Sequence, residues 1–328
     1  MQGRRVVSGP VAGCVQASLR HHTDDVGKCD SRYALSERVD ICICTFRRSD
    51  LYKTLESICH QIDTDNLQLK VIIIDNDDVE SARPVVDRAI ARLKIDCLYL
   101  HAPARNISLA RNAAFAATSA PYVLCIDDDE VAAPRWVRHM VDALRQSAAG
   151  VVIGPVHAVY SPHHPRWMRE MEPHSAIPRG NYRAARLTHI GNAGFRGAVI
   201  RGRRFDLLLG RSGGEDTEFF SRLRREAVPI TYCDEAKVFE PVSEERASMK
   251  WLVERHFRIG QTYARSERPA GGGRLPLAAR AAAKALACLG LAAANLGHEG
   301  RAKCHFLRFV MHAGVLMNAL GLPPIELY

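Results

Sequence analysis

Carboxylates that directly follow apolar runs are the side chains of this sequence best placed to do chemistry. Three consecutive aspartates, Asp127–Asp129, come after the apolar run Tyr122–Ile126, and Asp75 ends a second such run. Adjacent carboxylates repel one another unless a cation or hydrogen-bond donors neutralise them. Mg²⁺ and Mn²⁺ prefer oxygen ligands of this kind, so the pattern favours a divalent-cation site. A solvated acidic turn at a strand end is the alternative that the residues alone leave open.

The elements that must position these carboxylates are β-branched apolar runs, which alternate with helix-period segments from residue 39 onward. This alternation is typical of βαβ units around a mainly parallel sheet. The first four strands are predicted at Val39–Cys44, Lys70–Ile74, Cys97–Leu100 and Tyr122–Ile126. In an open α/β sheet the carboxyl ends of the strands share one crevice. We therefore expect Asp75 and Asp127–Asp129 to meet at that edge of the sheet.

The second half of the sequence contains further residues that could belong to a functional site. A strand is predicted at Val151–Tyr160, and residues 161–190 are rich in proline and histidine with little periodicity. That composition predicts a long irregular excursion, and loops of this length are usually functional or mobile. Two glycines then introduce Glu215 and Asp216 at a predicted helix start. The helix dipole alone would favour an acid at Glu215, so its role stays open.

Composition and charge narrow the class of protein. The chain has 328 residues, of which 47% are hydrophobic and 25% charged, which is typical of a globular protein and excludes compositional disorder. Its 10 cysteines show no framework spacing and predict a reducing, cytoplasmic environment. The formal net charge is +9, but no nucleic-acid motif or aromatic-studded basic groove accompanies it. We therefore expect no nucleic-acid partner.

The positive charge is concentrated at the C-terminal end. Residues 246–328 carry twelve Arg and Lys against four Asp and Glu, and helices are predicted at Leu277–Leu296 and His305–Leu322. Basic apolar helices favour the surface of an anionic membrane, here its cytoplasmic face. Packing onto the rest of the chain and a dimer contact remain open. No segment reaches about 18 uncharged apolar residues, so no confident membrane span is predicted.

Five segments carry a resemblance to a known family. They are VDICICTFR (39–47), KVIIIDND (70–77), NISLARN (106–112), IDDDE (126–130) and GED (214–216). In this order and spacing they resemble the family 2 glycosyltransferases of the GT-A fold, a group that includes bacterial exopolysaccharide and lipopolysaccharide transferases. The resemblance covers residues 39–265, with Ser108 in place of the family's usual glycine.

The resemblance implies an α/β fold with a Rossmann-like, mainly parallel mixed sheet flanked by helices, followed by a C-terminal helical tail. We expect a disordered leader (1–37), a GT-A glycosyltransferase domain (38–268) and a basic helical tail (269–328). The implied activity is inverting transfer of a sugar from a nucleotide-diphosphate sugar, with a UDP-sugar favoured. The implied acceptor is a hydroxyl of a saccharide or polyprenyl-diphosphate-linked saccharide in cell-surface polysaccharide synthesis.

The resemblance also implies roles for individual residues. Asp216 would be the base that removes the acceptor's proton, and Asp129 with Asp127 would hold Mg²⁺ or Mn²⁺. The implied nucleotide-sugar contacts are Thr45, Arg47, Asp75, Arg111, Asp127 and Asp128. The implied acceptor contacts are Glu215, Arg255 and Arg258, and the excursion over residues 161–190 could shape the acceptor site. For Arg47 and Arg111, an ordinary surface salt bridge remains open.

Two other functions remain open from the sequence. Asp127–Val131 also satisfies the D-x-D-x-[TV] pattern of haloacid-dehalogenase-type phosphatases, with Asp127 and Asp129 as the acting carboxylates. In that family the pattern normally follows the first strand, whereas three βα units precede it here. The other alternative is a catalytically inactive nucleotide-sugar-binding protein, for which Asp216 would be dispensable.

Overall fold

A computed structural model of the chain describes residues 36–177, 189–266 and 274–322. Its strands are β1 (Glu37–Thr45), β2 (Leu67–Asp75), β3 (Cys97–His101), β4 (Tyr122–Ile126), β5 (Val131–Ala132), β6 (Val151–Ile153), β7 (Val156–Val159), β8 (Asn192–Arg196), β9 (Ile230–Tyr232) and β10 (Val238–Pro241). Its helices are α1 (Leu51–Cys59), α2 (Arg83–Leu93), α3 (Ile107–Ala117), α4 (Trp136–Gln146), α5 (Arg166–Met171), α6 (Gly197–Ile200), α7 (Glu215–Arg225), α8 (Met249–Ser266), α9 (Arg274–Ala294) and α10 (Glu299–Ala319).

Seven of these strands form the main sheet, in the order β3-β2-β1-β4-β8-β6-β9. The neighbours among β3, β2, β1 and β4 are parallel, β8 runs antiparallel to β4 and β6, and β9 is parallel to β6. The predicted mainly parallel mixed sheet flanked by helices is confirmed, and so is the helical C-terminal region.

The strands read as continuous apolar runs because helices cover both faces of the sheet. On β1, Ile41 and Ile43 pack with Leu55 of α1 in one core. Cys42, which points to the opposite face, packs with Phe219 of α7 in a second core. The cysteine therefore acts as a small buried side chain.

The register of the central strands positions the site. Thr45 at the end of β1 lies opposite Asp75 at the end of β2, and β1 pairs with β4 through Cys42 and Cys125. The three strands therefore end at one edge of the sheet, as predicted. The residues that follow them turn toward a common crevice.

Two segments differ from the sequence prediction. The strand predicted at Val151–Tyr160 is divided into β6 and β7, because the chain turns at Gly154 and Pro155 and β7 joins a separate sheet of order β5-β10-β7. The Asn192 side chain donates a hydrogen bond of 2.8 Å to the Pro155 carbonyl and so holds this turn. The excursion predicted to be irregular contains α5, and its residues 178–188 lie outside the described part of the chain.

The C-terminal helices pack on one another and on α5. Leu307 of α10 lies in a cluster with Leu252 of α8, and Ala281 of α9 lies in a cluster with Val315 of α10. By length and composition alone α9 could cross a membrane, since its apolar 18-residue stretch has a mean hydropathy of 1.5 and is 22% buried. Residues 1–35 of the predicted leader lie outside the described part, and the three-region division stays a prediction.

Candidate active site

A cavity of about 610 Å³ opens at the edge of the sheet where β1, β2 and β4 end. The first group of lining residues, the strand-end wall, is Thr45–Arg48, Asn76, Arg111 and Asp127–Asp129. The second group, the C-terminal wall, is His174, His189, Glu240, Arg246 and Arg255. Guanidinium groups and carboxylates dominate this lining, so the cavity suits an anionic ligand accompanied by a cation.

Glu130 holds the turn that follows β4. Its Oε2 accepts a hydrogen bond from the Asp127 N–H (3.1 Å), and its own N–H donates to the Asp127 carbonyl (3.3 Å). Gly191 lies against this turn, where a Cβ would come within 2.6 Å of Oδ2 of Asp127. Burial, reinforced by the charge of Asp127, raises the pKa of Glu130 well above its usual range. A carboxyl to which the sequence analysis assigned no role therefore shapes the acidic turn.

Asp127 faces the cavity with its side chain half exposed, and Nη2 of Arg111 lies 4.0 Å from its Oδ1. Burial in the cleft raises the pKa of Asp127, the charge of Arg111 lowers it, and the charge of Asp129 raises it. Arg111 also forms an ion pair with Glu215 at the start of α7. This pair joins two of the five sequence segments across 104 positions of the chain.

Asp128 is buried between the acidic turn and the end of β1. Its Oδ2 accepts from the Phe46 N–H (3.4 Å), and the Thr54 hydroxyl donates to its carbonyl (3.1 Å). Nε of Arg48 lies 3.7 Å from its Oδ1. Burial raises the pKa of Asp128 to about 7, although the charge of Arg48 acts in the opposite direction. This aspartate is therefore only partly ionised at neutral pH.

Asp129 joins the two walls. Its Oδ2 lies 3.4 Å from Nη2 of Arg48 and 3.3 Å from Nη2 of Arg246. Nη1 of Arg246 forms an ion pair with Glu240. Burial and the charge of Asp129 raise the pKa of Glu240. One guanidinium thus ties the turn after β4 to β10.

The donor set of this cavity fits a divalent cation. Asp127 and Asp129 supply hard oxygen donors. Burial raises the pKa of Asp127, and the charge of Asp129 adds to this effect, although the charge of Arg111 opposes it. Among the described residues, no group of three His, Cys, Asp or Glu is arranged to hold a metal ion. One or two protein carboxylates, with the remaining positions taken by substrate phosphates and water, is the usual arrangement for Mg²⁺.

The first two residues of α7 are acids with different surroundings. The helix follows Gly214, whose φ of 96° lies in the left-handed region that favours glycine. Glu215 is 5% exposed and pairs with Arg111, and its Oε2 has no hydrogen-bond partner. Burial, followed by the charge of Glu215, raises the pKa of Asp216 to about 7, while the Thr217 N–H donates to its Oδ1 (2.6 Å). Asp216 can therefore exchange a proton near neutral pH.

The structure brings most of the predicted site residues to the cavity. Those that line it are Thr45, Arg47, Arg111, Asp127–Asp129 and Arg255; those outside its lining are Asp75, Glu215, Asp216 and Arg258. Asp75, for which a nucleotide-sugar contact was implied, is fully buried, and its Oδ1 accepts from the Asp77 N–H (3.1 Å). Its Oδ2 accepts from the Ala82 N–H and the Tyr99 hydroxyl, both at 2.8 Å. Asp75 therefore fixes the turn after β2, and Asn76 lines the cavity in its place.

The predicted arginines differ in their surroundings. Arg47 is half exposed, and its Nε donates to Asp77 (2.8 Å). Arg255 of α8 lines the cavity, with its guanidinium carbon 5.1 Å from the ring centre of Trp251. Nε and Nη1 of Arg258, one turn further along α8, are buried without a hydrogen-bond partner. Burial lowers the pKa of both α8 arginines, and a buried cation of this kind favours an anionic partner.

Of the residues in the C-terminal wall, only Arg255 was predicted from the sequence. His174 stacks on Trp251 with ring centres 5.3 Å apart, and its Nδ1 accepts from the Tyr160 hydroxyl (2.9 Å). Its Nε2 donates to the Arg246 carbonyl (3.0 Å), since a carbonyl can only accept. Burial lowers the pKa of His174 to about 4, so the ring is neutral at pH 7. The sequence signal that could have pointed to His174 was the histidine-rich excursion, which was predicted to shape the acceptor site.

Comparison with known proteins matches residues 40–209 to the model of a family described as Glycosyl transferase family 2. Succinoglycan biosynthesis protein ExoM of Rhizobium meliloti (strain 1021) is 39% identical over 294 residues, which are 88% of this chain and 95% of that protein.

A solved mannosyltransferase structure has a similar fold. The mannosyltransferase PcManGT from Pyrobaculum calidifontis, in complex with GDP-Man and Mn²⁺, aligns with a TM-score of 0.57 and 18% identity over 85% of this chain and 86% of that one. S. aureus TarS aligns with a TM-score of 0.49 and 16% identity over 84% of this chain. This chain spans about half of TarS, 55% of its length.

Proposed function

The chain belongs to glycosyl transferase family 2, and on that premise we propose that it transfers a sugar from a nucleotide-diphosphate sugar to an acceptor hydroxyl in cell-surface polysaccharide synthesis. The observation that carries the proposal is the cavity, in which Asp127–Asp129 and five arginines converge where three parallel strands end. The relative that is 39% identical is named for succinoglycan biosynthesis. Neither the phosphatase nor the inactive binding protein is favoured.

The strand-end wall is proposed to bind the donor. Arg47, Arg48 and Arg111 line it, and guanidinium groups match the geometry of phosphate oxygens. Asn76 and Thr45 lie at the same strand ends and would contact the nucleoside. A UDP-sugar is the donor we favour, although the similar structure PcManGT was solved with GDP-Man.

A divalent cation, Mg²⁺ or Mn²⁺, is proposed to bind between Asp129 and Asp127. When bound, such an ion offsets the charge that develops on a leaving diphosphate. To hold the cation, Asp129 would give up its contacts with Arg48 and Arg246, and Arg246 would keep its ion pair with Glu240. Asp128 holds the turn against the end of β1 through the Phe46 N–H.

Asp216 is proposed as the base. With a pKa of about 7, it can take the proton from an acceptor hydroxyl as the oxygen attacks the anomeric carbon. The nucleoside diphosphate leaves from the opposite face, which inverts the configuration. Glu215, predicted as an acceptor contact, is proposed instead to orient Arg111, since their ion pair is buried. Arg255 and Arg258 are proposed to meet an anionic group of the acceptor, such as the diphosphate of a polyprenyl-linked saccharide.

We propose that the enzyme works at the cytoplasmic face of a membrane. The twelve basic and four acidic residues of 246–328 would favour an anionic lipid surface. Arg255 lies on α8, which packs against α10, so a lipid-linked acceptor would meet the cavity from that side.

A donor screen tests the proposed function. UDP-, GDP- and dTDP-sugars are incubated with the full chain, with and without Mn²⁺, and release of nucleoside diphosphate is measured. We expect one nucleotide class to be hydrolysed slowly and only with the metal, with Asp129→Ala inactive. Phosphate release from an aryl phosphate, with no sugar release from any donor, would instead support the phosphatase.

A further inference from the structure

One aromatic residue outside the cavity lining contacts three residues of the C-terminal wall. Trp251 lies in the first turn of α8. Its ring centre is 5.3 Å from that of His174, and the two rings stack with their planes inclined by 26°. The guanidinium carbons of Arg246 and Arg255 lie 5.7 Å and 5.1 Å from the centre of the Trp251 ring. All three of these residues line the cavity, whereas the indole is not part of its lining.

The three wall residues come from different parts of the chain. His174 lies in the connection after α5, Arg246 in the connection between β10 and α8, and Arg255 on α8 itself. Side chains that converge from separate segments need a common support to keep a fixed geometry. The hydrogen bond of 3.0 Å from Nε2 of His174 to the Arg246 carbonyl joins the first two. The indole of Trp251 is the group that all three contact.

An indole can hold an arginine without offsetting its charge. The face of an aromatic ring attracts a cation within about 6 Å, whereas a carboxylate in the same place would form an ion pair with it. Arg246 already has carboxylate partners in Asp129 and Glu240. Arg255 lies four residues after Trp251, on the same side of α8, and contacts the indole. Its guanidinium therefore keeps its charge for an anionic ligand in the cavity.

The packing of α8 fixes the indole in turn. The Trp251 N–H donates to Oγ of Ser248 at the start of the helix (3.3 Å). The next residue, Leu252, is fully buried in a cluster with Trp167 of α5 and Leu307 of α10, and Trp251 packs against this cluster. Trp251 thus contacts both the cavity wall and the helical core, which is the placement that a support for the wall requires.

We propose that Trp251 is a positioning residue for the transfer reaction, whose indole holds His174 and the two arginines of the C-terminal wall in the geometry that receives an anionic group of the acceptor. Trp251 itself touches neither donor nor acceptor. The purpose of this geometry rests on the proposed function, but the placement of the three side chains does not. If Trp251 only filled space between the helices, a leucine could replace it without a specific effect on the wall.

Chemical modification of the full chain tests the placement without any ligand. Phenylglyoxal reacts with guanidinium groups, and mass spectrometry of peptides gives the rate at each arginine. Trp251→Leu should raise the rate at Arg255 at least about fivefold, because the guanidinium loses the ring that holds it, and Trp251→Phe should stay within about twofold of the wild type. Trp167→Leu is the matched control, because Trp167 belongs to the same cluster but contacts Lys303 instead of the wall.

Binding of an anionic probe tests the purpose of the placement. The probe is citronellyl diphosphate, a diphosphate on a short isoprenoid chain, titrated calorimetrically into the full chain in the presence of EDTA. We expect Trp251→Leu to weaken binding about tenfold and Trp251→Phe to weaken it less than about threefold. In an Arg255→Gln background, Trp251→Leu should cost at most about a further twofold, because the two residues then act as one unit.

Circular dichroism and thermal unfolding confirm that each variant is folded. Equal phenylglyoxal rates at Arg255 in wild type and Trp251→Leu, or equal binding of the probe by these two proteins, would overturn the proposal. A loss of probe binding in Trp167→Leu as large as in Trp251→Leu would also overturn it, since the role would then be structural. If no donor is hydrolysed and the wild type does not bind the probe, while the rates at Arg255 change as expected, the proposed function is wrong and the positioning by Trp251 stands.

Discussion

The two walls of the cavity are held in place by different means. On the strand-end wall, Asp127–Asp129 follow β4 directly, and backbone groups fix them through Glu130 and the Phe46 N–H. On the C-terminal wall, His174 and Arg246 lie in connections and depend on side-chain contacts. A sheet edge preorganises groups for chemistry, whereas connecting segments adapt to different ligands. We therefore propose that the first wall supports bond breaking and that the second selects the acceptor.

The walls also differ in charge. The strand-end wall contains three aspartates beside three arginines, and burial raises the pKa of both Asp127 and Asp128 there. The C-terminal wall contains the cations Arg246 and Arg255 and a single carboxylate, Glu240. Asp129 connects the two through its contact with Arg246. Substitutions at the strand-end wall should lower catalysis most. Substitutions at the contact between Asp129 and Arg246 should reveal how the two walls compete for the Asp129 carboxylate.

Asp129→Ala should have the largest effect, a loss of transfer rate of about a thousandfold, because it removes the carboxylate assigned to the metal. We expect the free energy of unfolding to change by less than about 1 kcal/mol, since clustered carboxylates cost stability. Initial rates and calorimetry of donor binding with Mn²⁺ measure the effect. Asp142→Ala is the control, because Asp142 also pairs with two arginines but lies on α4. Tight donor binding that EDTA leaves unchanged would contradict the assignment.

Asp216→Asn should lower turnover by about a hundredfold, the scale expected for losing a positioned base, while donor affinity is kept. The base must be ionised to act, and burial raises its pKa to about 7. Wild-type turnover should therefore rise with pH up to about 7 and then level off, and the variant should lose this dependence. If Glu240→Gln removes the rise and Asp216→Asn does not, the base lies on the C-terminal wall.

Some of the site residues could be placed from the sequence and others could not. Asp127–Asp129 could be placed at the sheet edge because an apolar run of β-branched type precedes them, and that pattern is local. Asp75 has the same pattern, yet Tyr99 and the Ala82 N–H occupy its carboxylate. Such occupancy depends on contacts between β2, β3 and the start of α2, which no local pattern encodes.

The residues of the C-terminal wall could not be predicted from the sequence for a related reason. Glu240 reaches the cavity only because β10 pairs with β7 and β5, two short strands from distant parts of the chain. Arg246 is one of many arginines in the sequence, and its contact with Asp129 spans 117 positions. Long-range pairing of short strands leaves little signal in composition or periodicity.

Arg246→Gln should have an intermediate effect, which lowers turnover but strengthens the binding of Mn²⁺. Turnover should fall about tenfold, because the cation that joins the walls is lost. Binding of Mn²⁺ in the absence of donor should tighten several-fold, because Asp129 loses a competing cation. Titration followed by electron paramagnetic resonance measures the free metal. Arg138→Gln, which breaks an ion pair on α4, should change neither quantity. Weaker metal binding in Arg246→Gln would show that the arginine organises the carboxylates rather than competing for them.

The smallest effect is expected on stability, in Asp128→Asn, and it tests whether the strand-end wall stores uncompensated charge. Burial raises the pKa of Asp128 to about 7 in the folded chain, whereas an unfolded aspartate has a pKa of about 3.9. Between these values the folded chain binds the additional proton, so the wild type loses stability as the pH rises from about 4 to 7. Asparagine is neutral throughout, so the variant should equal the wild type below pH 4 and exceed it above pH 7. We expect a gain on the order of 1 kcal/mol, or about 2–4 °C in Tm, together with weaker donor binding.

Asp142→Asn, which removes an ion-paired aspartate outside the cavity, should show no such gain. A variant less stable than the wild type at pH 8 would mean that Arg48 and the Phe46 N–H already compensate the charge of Asp128, and the contrast between the walls would then rest on geometry alone.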